Sequence, residues 1–228
     1  MNRNTATWFT LGNVGSGLIS LLLFRRKKSG AAVVAMVVAG ILDVLDGWAA
    51  RKSGTVGRRG SELDSTADMT SFGLVPAFML LSLNKAKSYR FVSWLYPGSI
   101  LFRLFRFATG GGGPGWFTGM PSPATAIAVT GSCALAQKHK YLAWLPPVTA
   151  AAFSSLAVCK LPYGKLTHPS LGLLSRPLTY LIWGVHIVLF FLSPGLAALS
   201  LMVVYAFLGP SLMHKFHRLQ EDSDRPGE

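Results

Sequence analysis

Negative charge is scarce in this chain. Only nine of its 228 residues are Asp or Glu, against 22 Lys and Arg, and none of the nine lies between Asp68 and Glu221. Charged residues of both signs reach just 14%, where soluble domains carry about 25%. With 50% hydrophobic residues, this excludes an ordinary water-soluble globule and predicts a polytopic helical membrane protein. There are only two cysteines, Cys133 and Cys159, both in apolar segments. That excludes a disulfide framework and leaves packing in a core or against lipid. Internal repeats and linker-like stretches are missing, so residues 1–213 read as a single membrane domain and 214–228 as a polar tail. The Gly110 to Gly113 run has no Lys-Ser or Lys-Thr after it, which excludes a phosphate loop. The first apolar run ends at Arg25-Arg26-Lys27-Lys28 without a small-residue cleavage site, so an uncleaved first span is expected. The histidines pair at no metal-binding spacing, and His186, in an apolar segment, reads as a packing residue.

Apolar segments fall near 10–24, 29–50, 63–83, 91–108, 121–137, 141–159, 177–192 and 195–213. They predict an all-α bundle of about eight spans, several short for a hydrocarbon core of about 30 Å. Ser193-Pro194-Gly195 marks a tight turn between the last two, or a break within one segment. The net charge of +13 comes from basic residues flanking these spans. That placement suits anionic lipid head groups and an anionic substrate, and argues against nucleic acid. With alternating spans, Arg51, Lys52, Arg58, Arg59, Arg106, Lys160, Lys165, Arg176, Lys215 and Arg218 share one side. Arg25 to Lys28, Lys85, Lys87, Arg90, Lys138 and Lys140 share the other. The excess favours a cytoplasmic first side only modestly.

Five of the nine carboxylates are concentrated in one 26-residue stretch, Asp43 to Asp68, reading DVLDGWAARKSGTVGRRGSELDSTAD. Its flanks are apolar enough to lie in a bilayer, where carboxylates are costly and usually functional. Asp43 and Asp46 are spaced i,i+3, and Asp64 and Asp68 i,i+4, so each pair projects from one helix face. Two such faces can converge on hard divalent cations, Mg²⁺ or Mn²⁺. A structural Asp–Arg site is the plain alternative, but four carboxylates outnumber the one nearby arginine. An ion pathway would also use intramembrane carboxylates, though it has no task for Gly47, Ala50, Arg51 and Gly60. Those three small residues allow close approach of a backbone or nucleotide. Arg51 can donate two hydrogen bonds to phosphate or a pyrimidine edge.

The stretch fits D-x2-D-G-x2-A-R-x8-G-x3-D-x3-D at every fixed position, and so resembles the CDP-alcohol phosphotransferase family of integral membrane enzymes. The resemblance implies an active site between the second and third spans at the cytosolic face of the cell membrane. It implies that Asp43, Asp46, Asp64 and Asp68 surround the metals, two per site, with Asp68 also the base for the acceptor alcohol. Gly47, Ala50, Arg51 and Gly60 would then contact the CDP-lipid, and the protein would be a homodimer.

Further stretches are similar to the phosphatidylserine synthase branch: TLGNVGSGLIS, LDSTADMTSFGLVPAFML, RLFRFATG with WFTGMPSPATA, and LAVCKLPYGKL, together covering roughly residues 8–166. They imply CDP-diacylglycerol and L-serine as substrates, giving phosphatidylserine and CMP. Phosphatidylglycerophosphate synthesis and ether-lipid archaetidylserine synthesis are the alternatives within the family, and a divalent-cation transporter is the alternative outside it. Thr66, Ala108 and Cys159 depart from the branch's usual Leu, Asn and Ser. Arg103 and Arg106, spaced i,i+3, are candidates to hold a phosphate or the serine carboxylate, unless they snorkel to head groups. Lys160, Tyr163 and Lys165 could guide anionic lipid or be positive-inside anchors. Gly119, Pro121 and Pro123 shape the loop entering the fifth span. Asn13, in an apolar run, could bond a neighbouring helix or touch the site, and packing is the safer reading.

Overall fold

The fold is that of a computed structural model, which describes residues 4–52, 58–84, 86–110, 112–113, 116–164 and 176–224. It is a helical bundle. Helices α1 (Asn4–Arg25) and α2 (Ser29–Lys52) pack along each other. Helix α3 (Arg58–Asp68), a π-helical stretch (Met69–Leu74) and α4 (Val75–Leu83) run on without a break. Helices α5 (Lys87–Ala108), α6 (Ser122–Lys138), α7 (Leu145–Val158), α8 (Arg176–Leu192) and α9 (Pro194–Asp224) follow. Among the described residues, five stretches are long and apolar enough to cross a membrane: Thr7–Arg25, Ser29–Ala49, Glu62–Leu83, Lys140–Val158 and Pro194–Phe216. This is an integral membrane protein. The other expected spans fall short: α6 and α8 have 17 residues each, and α5 carries Lys87, Arg90, Arg103 and Arg106. Trp8, Phe91, Trp94 and Phe191 are exposed; lipid, not water, is the solvent such a surface suits.

Helix α6 sits at the centre, and its Ala, Ser, Thr and Gly residues let neighbours approach. A Cβ on its Gly131 would lie 2.8 Å from the Gly195 carbonyl oxygen on α9. Only Ser193 separates α8 from α9, where Pro194 takes the first helical position. The expected break is therefore a tight turn.

Two prolines explain two buried tyrosines. Pro76 has no N–H to give to the Phe72 carbonyl four residues back, and the Tyr96 hydroxyl donates to that carbonyl at 2.8 Å. Pro210 likewise frees the Ala206 carbonyl, and the Tyr163 hydroxyl donates to it at 3.2 Å. Each bond contributes about 1 kcal/mol. Each also holds a helix irregularity close to the functional region.

A three-stranded antiparallel sheet lies outside the all-helical expectation: β1 (Gly112–Gly113), β2 (Trp116–Thr118) and β3 (Pro162–Gly164), with Phe117 opposite Tyr163. Strands of two or three residues show no alternation that sequence could reveal. Gly119 ends β2 at φ +81, a conformation glycine adopts without strain. Pro121 and Pro123 then start α6.

Gly17 on α1 faces the π-helical stretch. A Cβ there would lie 2.8 Å from Ser71 Oγ and 3.1 Å from its Cα, and Ser71 Oγ donates to the Asn13 carbonyl at 3.3 Å. Gly17→Ala is expected to cost about 1–3 kcal/mol and to lower turnover by lifting α1 away. Thermal unfolding and activity measured on one preparation check this; an unchanged protein would show that α1 is not clamped here.

Candidate active site

The C-terminal half of α2 and the length of α3 carry the carboxylates. The helices meet so that Asp43 pairs with Asp68, and Asp46 with Asp64. One carboxylate oxygen from each of Asp43, Asp64 and Asp68 lies within 4.8 Å of the others. Oxygens around a hard divalent cation sit about 2.0–2.6 Å from it, so this spread fits one coordination sphere. Asp46 and Asp68 are buried, and Asp43 and Asp64 half-buried. Asp64 Oδ1 is buried without a hydrogen-bond partner. Like charges in contact at low dielectric repel strongly, so the donor set, with its orphaned oxygen, fits a divalent cation.

Helix α1 supports this cluster from behind. Thr10 Oγ1 donates to Asp46 Oδ2 at 3.0 Å, and Asn13 Nδ2 lies 3.5 Å from Asp68 Oδ1. Sequence reasoning gave Thr10 no role and treated Asn13 as packing. In the structure the Asn13 side chain reaches the site, while its Oδ1 stays buried without a partner. A polar residue in an apolar run was the available signal; its partner 55 positions away was not.

Arg103 on α5 is buried, which excludes snorkelling for it. It donates to Ser122 Oγ at the start of α6, and Phe117 lies beside it at 5.7 Å. Asp68 and Asp43 are within its electrostatic range, as is Tyr205 on α9. Its Nε is buried and unpartnered. Arg106 faces elsewhere: its guanidinium donates to the carbonyls of Val158 at 2.6 Å and Ala157 at 3.2 Å, and to that of Thr118. It ties the end of α7 to β2. Tyr163 is buried on β3 against α9, with Tyr205 at 5.5 Å. Lys160 is exposed just before β3. Gly47 lies on α2 one residue past Asp46, and Gly60 is exposed in the first turn of α3. Ala50 and Arg51 belong to the last turn of α2, and their side chains lie outside the described residues. So do Lys165 and part of the glycine run.

A membrane helix bundle that gathers carboxylates beside a buried arginine defines the class of protein. Residues 3–162 match the CDP-alcohol phosphatidyltransferase profile, and the chain belongs to that family. It is 33% identical over 163 residues to the archaetidylserine synthase of Methanothermobacter thermautotrophicus, covering 69% of this chain and 66% of the relative. It is 33% identical over 174 residues to the CDP-diacylglycerol–serine O-phosphatidyltransferase of Mycobacterium leprae, covering 69% and 57%. The Helicobacter pylori protein of that name (strain 26695) is 32% identical over 139 residues, covering 59% of each. The chain thus spans less than two thirds of the length of these relatives.

Proposed function

We propose that this protein transfers a phosphatidyl group, or its ether-lipid equivalent, from a CDP-linked lipid to L-serine, releasing CMP. The carrying observation is the pairing of Asp43 with Asp68 and of Asp46 with Asp64 beside the buried Arg103. Asp43, Asp46, Asp64 and Asp68 would hold two divalent ions, Mg²⁺ or Mn²⁺. When bound, such ions neutralise pyrophosphate charge and polarise the phosphorus under attack. Gly47, Ala50, Arg51 and Gly60 take the CDP side. Arg103 holds the phosphate or the serine carboxylate through its free donor. Thr10 and Asn13 fix the carboxylates that face them. The serine oxygen–phosphorus bond forms, the phosphorus–oxygen bond to CMP breaks, and the serine hydroxyl proton goes to Asp68. The site faces the cytosol of the cell membrane, in line with the basic excess on its side. The protein works as a homodimer, as the family resemblance implies.

The names of the relatives support serine as acceptor and leave acyl and ether donors as two versions of one reaction. A competition assay with labelled serine and glycerol 3-phosphate tests the acceptor. Serine label is expected in lipid only when CDP-diacylglycerol or an ether-linked CDP-lipid is supplied. Preferential formation of phosphatidylglycerophosphate would overturn this assignment.

A further inference from the structure

At the opposite end of the same helices lies a cavity of about 420 Å³, lined among others by Lys27, Lys28, Lys138, Gln137 and Leu192. The helix ends explain why it forms. The Lys27 and Lys28 amides donate back to the Phe24 and Leu23 carbonyls at 3.0 and 2.9 Å, the pair of hydrogen bonds that closes a helix C-terminus. That motif places one residue in the left-handed region, and Lys27 occupies it at φ 62. Glycine is the residue that takes this position without strain. Here a lysine stands in its place. Gln137 Nε2 donates to the Phe24 carbonyl at 3.0 Å, locking the turn to the end of α6 and bringing Lys138 alongside. The α8–α9 turn closes the remaining side, with Pro194 near Gly30.

Everything charged around this cavity is positive. Helices α2 and α9 begin here while α1, α6 and α8 end here, so the positive potential comes from the lysines rather than from helix dipoles. The first carboxylate of α2, Asp43, is about 20 Å further along the helix at 1.5 Å per residue. The lysines end apolar helices, and Leu192 on α8 adds apolar surface to the same cavity. The cavity also accounts for an irregularity of charge. Lys27, Lys28 and Lys138 belong to the basic residues on the side opposite the signature, where the positive-inside bias disfavours them. Three of them meet at one cavity.

We propose that this cavity binds the phosphate of an anionic phospholipid, in the leaflet opposite the aspartate site. The test uses the full chain purified in neutral detergent, with phosphatidylglycerol as the probe and phosphatidylcholine and inorganic phosphate as the other arms. Native mass spectrometry reads bound lipid, and thermal unfolding reads stabilisation. Saturable retention of phosphatidylglycerol is expected, with phosphatidylcholine retained far less and millimolar phosphate unable to displace the lipid. Lys27→Gly removes the charge and relieves the backbone. It should fold at least as well without lipid, keep its turnover, and bind phosphatidylglycerol about fivefold more weakly. The Lys28→Gln/Lys138→Gln double variant should lose about twenty-five-fold on the same basis. Wild-type retention by both variants, or equal retention of phosphatidylcholine, would overturn the proposal. Displacement of the lipid by inorganic phosphate, with equal stabilisation, would make this a free-anion site and overturn the lipid assignment.

Discussion

Asn at position 43, 46 or 64 is expected to cut turnover by more than about 100-fold, since losing even the outer partners of metal ligands costs about 10–100-fold. The same substitutions should stabilise the metal-free protein. Asp43 faces Asp68 and Asp46 faces Asp64, and the guanidinium of Arg103 is the buried cation in range of Asp68 and Asp43. Asn keeps the shape and removes one of the repelling charges. Relief of about 1 kcal/mol would raise the melting temperature by about 2–4 °C in a chain of this size. Divalent ion should stabilise the wild type far more than the variants. At a hundred times its Kd it contributes about 2.7 kcal/mol to the wild type, and little to a variant that has lost a ligand. Melting curves with chelator and with Mg²⁺ or Mn²⁺ read this directly. Full turnover in chelator, or a metal-dependent stabilisation that survives Asp64→Asn, would remove the aspartates from the role given them.

The approach of Asp43, Asp64 and Asp68 to one another was legible because helical spacing is a local property. Asp43 with Asp46, and Asp64 with Asp68, share faces by arithmetic alone, and a short connection makes their helices neighbours. What closes the site was not legible. Thr10 and Asn13 arrive from α1 through packing that depends on Gly17 yielding space to Ser71. The arginine pair shows the limit of spacing as an argument. Arg103 and Arg106 are one turn apart on α5, yet one turns to Ser122 and the aspartates while the other grips the carbonyls of Thr118, Ala157 and Val158. Their difference lies in the ends of β2 and α7, which no periodicity reports. Tyr163 is similar: its motif suggested contact with substrate, and its hydroxyl serves a carbonyl freed by Pro210, 47 residues later in the chain. Hydrophobic runs gave the helical bundle; among the described residues five stretches are long and apolar enough to cross a membrane, while α5 carries arginines and α6 has 17 residues.

Asp68→Asn is expected to behave differently from its neighbours. Asp68 is the last residue of α3, buried where the π-helical stretch begins, an irregularity often found at functional sites. Asn13 Nδ2 lies near one of its oxygens, and Arg103 is within electrostatic range. These groups help to fix the carboxylate's orientation. If it takes the serine proton as the oxygen–phosphorus bond forms, its loss should slow the chemical step by about 10²–10⁴-fold. Binding of the CDP-lipid should weaken much less, because that interaction is made equally in ground and transition states. Asp46→Asn, by contrast, should damage both, since Asp46 faces Asp64 and is held by Thr10 rather than aimed at the acceptor. Single-turnover rates alongside equilibrium CDP-lipid binding separate the two variants. Should Asp68→Asn retain near-normal turnover, or lose affinity in proportion to rate, then Asp68 serves as a ligand like the others and the serine proton leaves through water.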